Sequence, residues 1–182
     1  KITESLKKEY KIKALDKGKN ILIYFAIKKM LTRFLKQEKA QVIGGNKIKI
    51  ISLESEYIMS LEIDGLKTPV LLKGKIDRVD SFNGLIRIID YKSGNVLKPD
   101  LSISDMEQIK EKPKSLQVLF YALLYLNKHQ SQKIQTGIIP LKNNSTQFLP
   151  LTHNSNMIDE ATLNSFKDML KKIIIELLDP NN

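Results

Sequence analysis

Two aspartates and a lysine, Asp77, Asp90 and Lys92, stand on the runs Gly74-Lys75-Ile76-Asp77-Arg78 and Ile89-Asp90-Tyr91-Lys92-Ser93-Gly94. Asn83-Gly84 lies between two alternating apolar runs, which is a hairpin signal, so the set reads as one β-hairpin. Residues i and i+2 of a strand share a face, so Asp90 and Lys92 project together and Tyr91 points the other way. Counting back from the turn puts Val79 near Arg87 and Asp77 near Ile89 or Asp90. A bulge would bring the two aspartates together at the end of the hairpin. Converging carboxylates repel each other unless a cation sits between them. Oxygen ligands of this kind suit Mg²⁺ or Mn²⁺ rather than zinc. A lysine beside them holds an attacking water and offsets charge on a phosphorane-like transition state. The metal lowers the pKa of its water and polarises the phosphoryl oxygen. The chemistry such a set fits is cleavage of a phosphodiester. A lone Asp-x-Lys is ordinarily a weak exposed ion pair, but Ile86, Ile88 and Ile89 read as a buried strand leading into this one.

The elements that must position these groups follow from periodicity. Residues 1–19 are charged and read as a helical or loose lead-in ending near Gly18. Over residues 20–40, Ile23, Ile27, Met30, Leu31, Phe34 and Leu35 recur at helical spacing and predict one apolar face, with Lys28, Lys29, Arg33 and Lys36 opposite. Lys47 to Leu53 and Tyr57 to Ile63 alternate and predict one or two strands. Val70 to Val79 and Leu85 to Tyr91 are the hairpin strands. A polar stretch over 95–115 contains Pro99 and Pro113, with a short helix predicted around Ser104 to Glu111. Leu116 to Lys128 reads as an apolar helix and Ile134 to Leu141 as a buried strand. Thr146 to Leu151 suits an edge strand and Asp159 to Leu178 a long amphipathic helix. The order predicts an α/β domain with a mixed sheet and helices on its faces.

The chain has 182 residues, enough for one domain with a proper core. No apolar run approaches the ~20 residues a membrane span needs, and the lysine-rich N-terminus does not resemble a signal peptide. There is no cysteine, so a disulfide framework and thiolate metal sites are excluded within these residues. The net charge of +10 favours a polyanionic partner, although a solubilising lysine surface has the same signature. Glu54, Glu56 and Glu62 read as surface strand residues, and His129 and His153 as solvated loop residues. No glycine-rich phosphate loop occurs, and Phe82 breaks the superficial calcium-loop pattern of Asp80 to Gly84.

These residues resemble the PD-(D/E)xK nuclease superfamily, and within it the RecB-type nuclease domain at the end of RecB and AddB helicase–nuclease subunits. The G-x-I-D-R-x-D element stands as Gly74-Lys75-Ile76-Asp77-Arg78-Val79-Asp80. The I-I-D-Y-K-[ST]-G element stands as Ile88-Ile89-Asp90-Tyr91-Lys92-Ser93-Gly94, and Q-x-x-x-Y as Gln117-Val118-Leu119-Phe120-Tyr121. The likeness is specific over residues 70–126 and looser over 20–70 and after 134.

The resemblance implies a restriction-endonuclease-like core, with a mixed central sheet flanked by helices. It implies Asp77 and Asp90 as ligands of Mg²⁺ or Mn²⁺ together with the Tyr91 carbonyl, Lys92 as the catalytic lysine, and Gln117 and Tyr121 as residues that position the DNA or the lysine. Without it, Gln117 reads as a neutral helix residue and Tyr121 as a core aromatic. It further implies an exonuclease-type activity on DNA in double-strand break repair, a helicase domain or subunit elsewhere in the parent protein or complex, and a bacterial cytoplasmic setting without a membrane. The family's upstream His and Glu helix and, in some members, a cysteine cluster for an iron–sulfur centre are not matched: no histidine precedes His129, and cysteine is absent. Residues 1–182 are therefore expected to be a single nuclease-like domain cut from a longer protein. The alternative is the same fold with an incomplete site, holding DNA as a scaffold.

Overall fold

The computed structural model describes residues 18–129, 134–142 and 147–179, together with Glu4. Helix α1 (Lys19–Ile43) precedes strands β1 (Ile48–Leu61), β2 (Val70–Phe82) and β3 (Leu85–Lys92). Two 3₁₀ turns, Lys98–Leu101 and Met106–Glu111, lead into α2 (Pro113–Lys128), and β4 (Ile134–Pro140), β5 (Leu149–Pro150) and α3 (Glu160–Leu178) follow. The five strands lie in chain order in one mixed sheet. β1, β2 and β3 pair antiparallel, β3 and β4 pair parallel, and β5 returns antiparallel to β4. A parallel pair needs a crossover, and α2 provides it. This is the mixed α/β sheet with flanking helices that the sequence predicts.

The hairpin turn forms because Asn83 and Gly84 accept positive φ, 52° and 90°, as a two-residue primed turn requires. Phe82 and Leu85 flank it, which pairs Asp80 with Arg87 and Val79 with Ile88. The expected register of Val79 near Arg87 is thus one residue off. β1 is one continuous strand, because β2 pairs with it from Leu61↔Val70 to Ile48↔Phe82, with a shift between Ile50 and Ser52.

The core lies between one face of the sheet and helices α2 and α3. Val118, Leu119 and Ala122 of α2 and Phe166 of α3 are fully buried there with Ile76, Val79 and Ile88. Pro113 opens α2 at its first position, where its missing N–H costs nothing; the helix therefore starts three residues before the expected Leu116. Asp159 caps α3 through the Thr162 N–H at 2.9 Å.

Several expectations are corrected. No residue of the predicted apolar face of α1 is fully buried: Ile27, Met30, Leu31 and Phe34 are half-buried, and Ile23 and Leu35 are largely exposed. The short helix near 104–111 is a 3₁₀ turn over Met106–Glu111, capped by Asp105. His129 and His153 are half-buried rather than solvated: the His129 ring stacks on Tyr125 with centroids 4.4 Å apart, and His153 Nδ1 lies 3.3 Å from the Ile103 carbonyl. Apart from Glu4, the lead-in over 1–17 lies outside the described residues, as does Thr146. Among the described residues, no helix is long and apolar enough to cross a membrane.

Two glycines allow close approaches. A Cβ on Gly74 would meet Leu124 Cδ1 at 2.7 Å, so glycine lets β2 lie tight against α2. A Cβ on Gly137 would overlap the Leu149 carbonyl of β5 and stand 2.9 Å from the Phe148 ring. Backbone yields less readily than a side-chain tip. Gly137→Ala is therefore expected to destabilise the fold by about 1–3 kcal/mol, read as a lower urea midpoint; an unchanged midpoint would mean that β5 moves aside freely.

Candidate active site

The site forms where β2 and β3 part. Their ladder runs from Phe82↔Leu85 to Arg78↔Ile89 and stops, although β3 goes on pairing with β4 as far as Lys92. Asp77 stands at the opening. Its carboxylate accepts the Tyr91 N–H at 2.8 Å and so takes the place of the next backbone rung. The expected bulge between these strands is not what brings the aspartates together; the end of the ladder does. The alternation of β2 also changes phase here, because Ile76 and Val79 both join the core. On β1, Glu54, which the register would place opposite Asp77, carries a φ of 50°.

The backbone of β3 adds an acceptor. The Lys92 carbonyl accepts from Leu141 N–H at 2.8 Å, so the polar groups of Lys92 face β4. Backbone groups of successive strand residues point to opposite edges. Those of Tyr91 therefore face β2, where the N–H meets Asp77 and the carbonyl looks into the opening.

Asp90 and Lys92 share the face covered by α2, and Gln117 ties them together. Lys92 Nζ donates to Gln117 Oε1 at 2.7 Å. Gln117 Nε2 donates to Asp90 Oδ1 at 3.1 Å and to the Tyr121 hydroxyl at 2.8 Å. The amide orientation follows from its neighbours, since a lysine only donates and its partner must be the oxygen. Gln117 and Tyr121 meet because they are one helical turn apart. Lys92 Nζ also lies 3.0 Å from Asp90 Oδ2. This is an ion pair, and Lys92 is the partner the structure gives the buried Oδ2.

Burial pushes the Asp90 carboxyl above its ordinary value, the charge of Asp77 adds to the rise, and Lys92 opposes it. Two carboxylates matched by the single charge of Lys92, with a backbone carbonyl facing the same opening, fit a hard divalent cation. Among the described residues, no group of three or more His, Cys, Asp or Glu side chains comes together. Glu54 and Glu56 pair with Lys75 and Lys73 at the exposed surface, as the sequence reading has them. A cavity of about 810 Å³ lined by Met59, Leu123, His129 and Leu163 lies at the far end of α2 and contains none of these groups.

On the opposite face of the hairpin is a cluster that the sequence reading missed. Asp80, fully buried, receives Arg87 through Nε and Nη2 at 2.9 and 2.8 Å, and Arg78 Nη2 stands 2.5 Å away. Arg78 Nη1 reaches Glu38 of α1 at 2.8 Å and the Tyr91 hydroxyl at 3.2 Å. The signal was present: Arg78 and Asp80 are two apart on one strand, with Arg87 across the turn.

A mixed sheet that opens between two antiparallel strands, with acidic groups and a lysine at the opening and a helix across one face, is a restriction-endonuclease-like fold. The family model of the PD-(D/E)XK nuclease superfamily matches residues 7–181. The chain belongs to that superfamily, and membership indicates a metal-dependent nuclease. No curated protein matches the chain. Among solved structures, the crystal structure of SSO0001 is similar at 16% identity and a TM-score of 0.36, over 98% of this chain and 72% of that one.

The raised Asp90 pKa has a direct consequence for stability. The native carboxyl holds its proton more tightly than the unfolded one, at 3.8. The Asp90 contribution therefore falls as pH rises from the unfolded value through the native one, and stays lower above it. In chelator at neutral pH, Asp90→Asn is expected to melt above the wild type, and Mn²⁺ should no longer raise its melting temperature. A lower melting point than wild type would mean that the Lys92 ion pair outweighs the burial.

Proposed function

We propose that this chain is the nuclease domain of a RecB/AddB-type protein, hydrolysing phosphodiester bonds of DNA with Mg²⁺ or Mn²⁺ in double-strand break repair, with a helicase domain or subunit as its partner. The observation that carries the chemistry is the Asp90–Lys92–Gln117–Tyr121 network facing Asp77 at the parting of β2 and β3. The finer assignment rests on the sequence elements around Asp77, Asp90 and Gln117.

Asp77, Asp90 and the Tyr91 carbonyl would hold the cation. When bound, it supplies charge for the phosphoryl oxygens and acidifies a water. Lys92 donates toward the attacking water or the phosphoryl oxygen as negative charge builds there. Gln117 and Asp90 anchor Nζ, and the Tyr121 hydroxyl accepts the second Gln117 N–H and fixes the amide. The bond formed is from the water oxygen to phosphorus, and the bond broken is from phosphorus to the leaving sugar oxygen.

Asp90→Ala and Lys92→Ala, each folded by circular dichroism, are expected to lower DNA cleavage by about 10²–10⁴-fold. Gln117→Ala should lower it by about 10–100-fold, as loss of an orienting partner does. Cleavage by Asp90→Ala at the wild-type rate would overturn the proposal.

The second reading is a scaffold that binds DNA without cutting it. Its support is a site with two carboxylates, together with the net charge of +10. Binding would then weaken steeply with salt and not depend on Mg²⁺.

A further inference from the structure

We infer that Glu38 of α1 is a positioning residue for this site. Acting through Arg78 and the Tyr91 hydroxyl from the reverse of the hairpin, it fixes the spacing between Asp77 and Asp90. The inference deepens the proposed metal site and rests on that reading.

Helix α1 has no fully buried side chain; Ile27, Met30, Leu31 and Phe34 are half-buried, so apolar burial alone does not fix its position. Its contacts converge on the active strands. Arg33 donates to the Leu141 carbonyl at 2.7 Å, and the Leu141 N–H in turn bonds the Lys92 carbonyl. Phe34 meets the Tyr91 ring edge-on at 5.5 Å. Glu38, one turn further on, takes Arg78 Nη1 at 2.8 Å.

The charge balance explains why Glu38 is needed. Arg78, Arg87 and Asp80 are buried, and by themselves they leave one unmatched positive charge away from water. Glu38 supplies the second carboxylate and brings the group to neutrality. Its carboxylate and the Tyr91 hydroxyl share one guanidinium nitrogen.

That nitrogen spans the two strands. Arg78 lies beside Asp77 on β2, and Tyr91 lies between Asp90 and Lys92 on β3. The backbone ladder has ended at Arg78↔Ile89, so the Arg78–Tyr91 bond serves as a side-chain rung just past the last backbone one. It acts on the face away from the metal side and sets how far the strands open. Without Glu38 the guanidinium has reason to turn toward solvent, and the rung is released.

The test is Mn²⁺ titration by calorimetry on the full chain without nucleic acid, using wild type, Glu38→Gln, Tyr91→Phe, the double variant, and Asp90→Asn as control. Tyr91→Phe removes one hydroxyl and leaves the ring contact and the backbone carbonyl, so it reports even if Glu38→Gln folds poorly. Each single variant is expected to weaken Mn²⁺ binding about tenfold. The double variant should be no weaker than the worse single, because both cut the same rung. A merely structural Glu38 would lower the melting temperature and leave the Mn²⁺ affinity of the folded protein unchanged. Loss of binding in Asp90→Asn with wild-type affinity in Glu38→Gln and Tyr91→Phe overturns the positioning role alone. Wild-type affinity in Asp90→Asn overturns the metal site and the positioning role together.

Discussion

Strand β3 has to keep two neighbours along its first half and one along its second. It pairs with β2 only as far as Ile89 but with β4 to its end at Lys92. Backbone groups inside a sheet are costly to leave unpaired, so the parting must be compensated where it begins. Asp77 does this by accepting the Tyr91 N–H. One carboxylate thus closes the sheet and faces the opening, and the rest of the site is arranged around that dual position.

The two faces of the hairpin treat charge in opposite ways. On the reverse face, two guanidinium groups meet two carboxylates, and every charge has a partner within hydrogen-bond distance. On the face toward α2, Asp77 and Asp90 stand against the single charge of Lys92, whose Nζ lies 3.0 Å from Asp90 Oδ2. A neutral, bidentate network keeps its geometry, whereas a group with an excess carboxylate is stabilised by a cation. The balanced side holds the strands in place for the unbalanced side.

Much of this was legible in the chain. Asn83-Gly84 fixed the hairpin because few residue pairs accept positive φ twice. Period-two alternation placed Asp90 and Lys92 on one face, and the Gln117 to Tyr121 spacing placed those two side chains together. The register was misjudged by one residue, because counting from the turn does not say which residues flank it. The parting of β2 from β3 was not legible at all, since it shows only against β4, which holds the opposite edge of β3 to its end and lies more than 40 residues further on. Helix α1 was legible in part: Phe34 of its apolar face meets Tyr91, whereas the contacts of Arg33 and Glu38 come from residues that periodicity assigns no partner. The Arg78–Asp80–Arg87 cluster escaped notice because charged strand residues are ordinarily solvent-facing, and only the third dimension shows the aromatic and helical cover.

The crossover through α2 also orders the assembly of the site in time. The Asp77–Tyr91 contact spans 14 residues across a tight turn, whereas Lys92 to Gln117 spans 25 and the parallel register Lys92↔Pro140 spans 48. Loop-closure entropy rises with span, and non-local parallel pairing is slow. The two acidic groups are therefore brought together by a local event, while the amide that restrains the lysine waits for the helix to dock. A nascent chain gathers its repulsive charges before it gains the clamp that orders them, so the last tertiary contacts to form, rather than the hairpin, complete the arrangement of Asp90, Lys92 and Gln117.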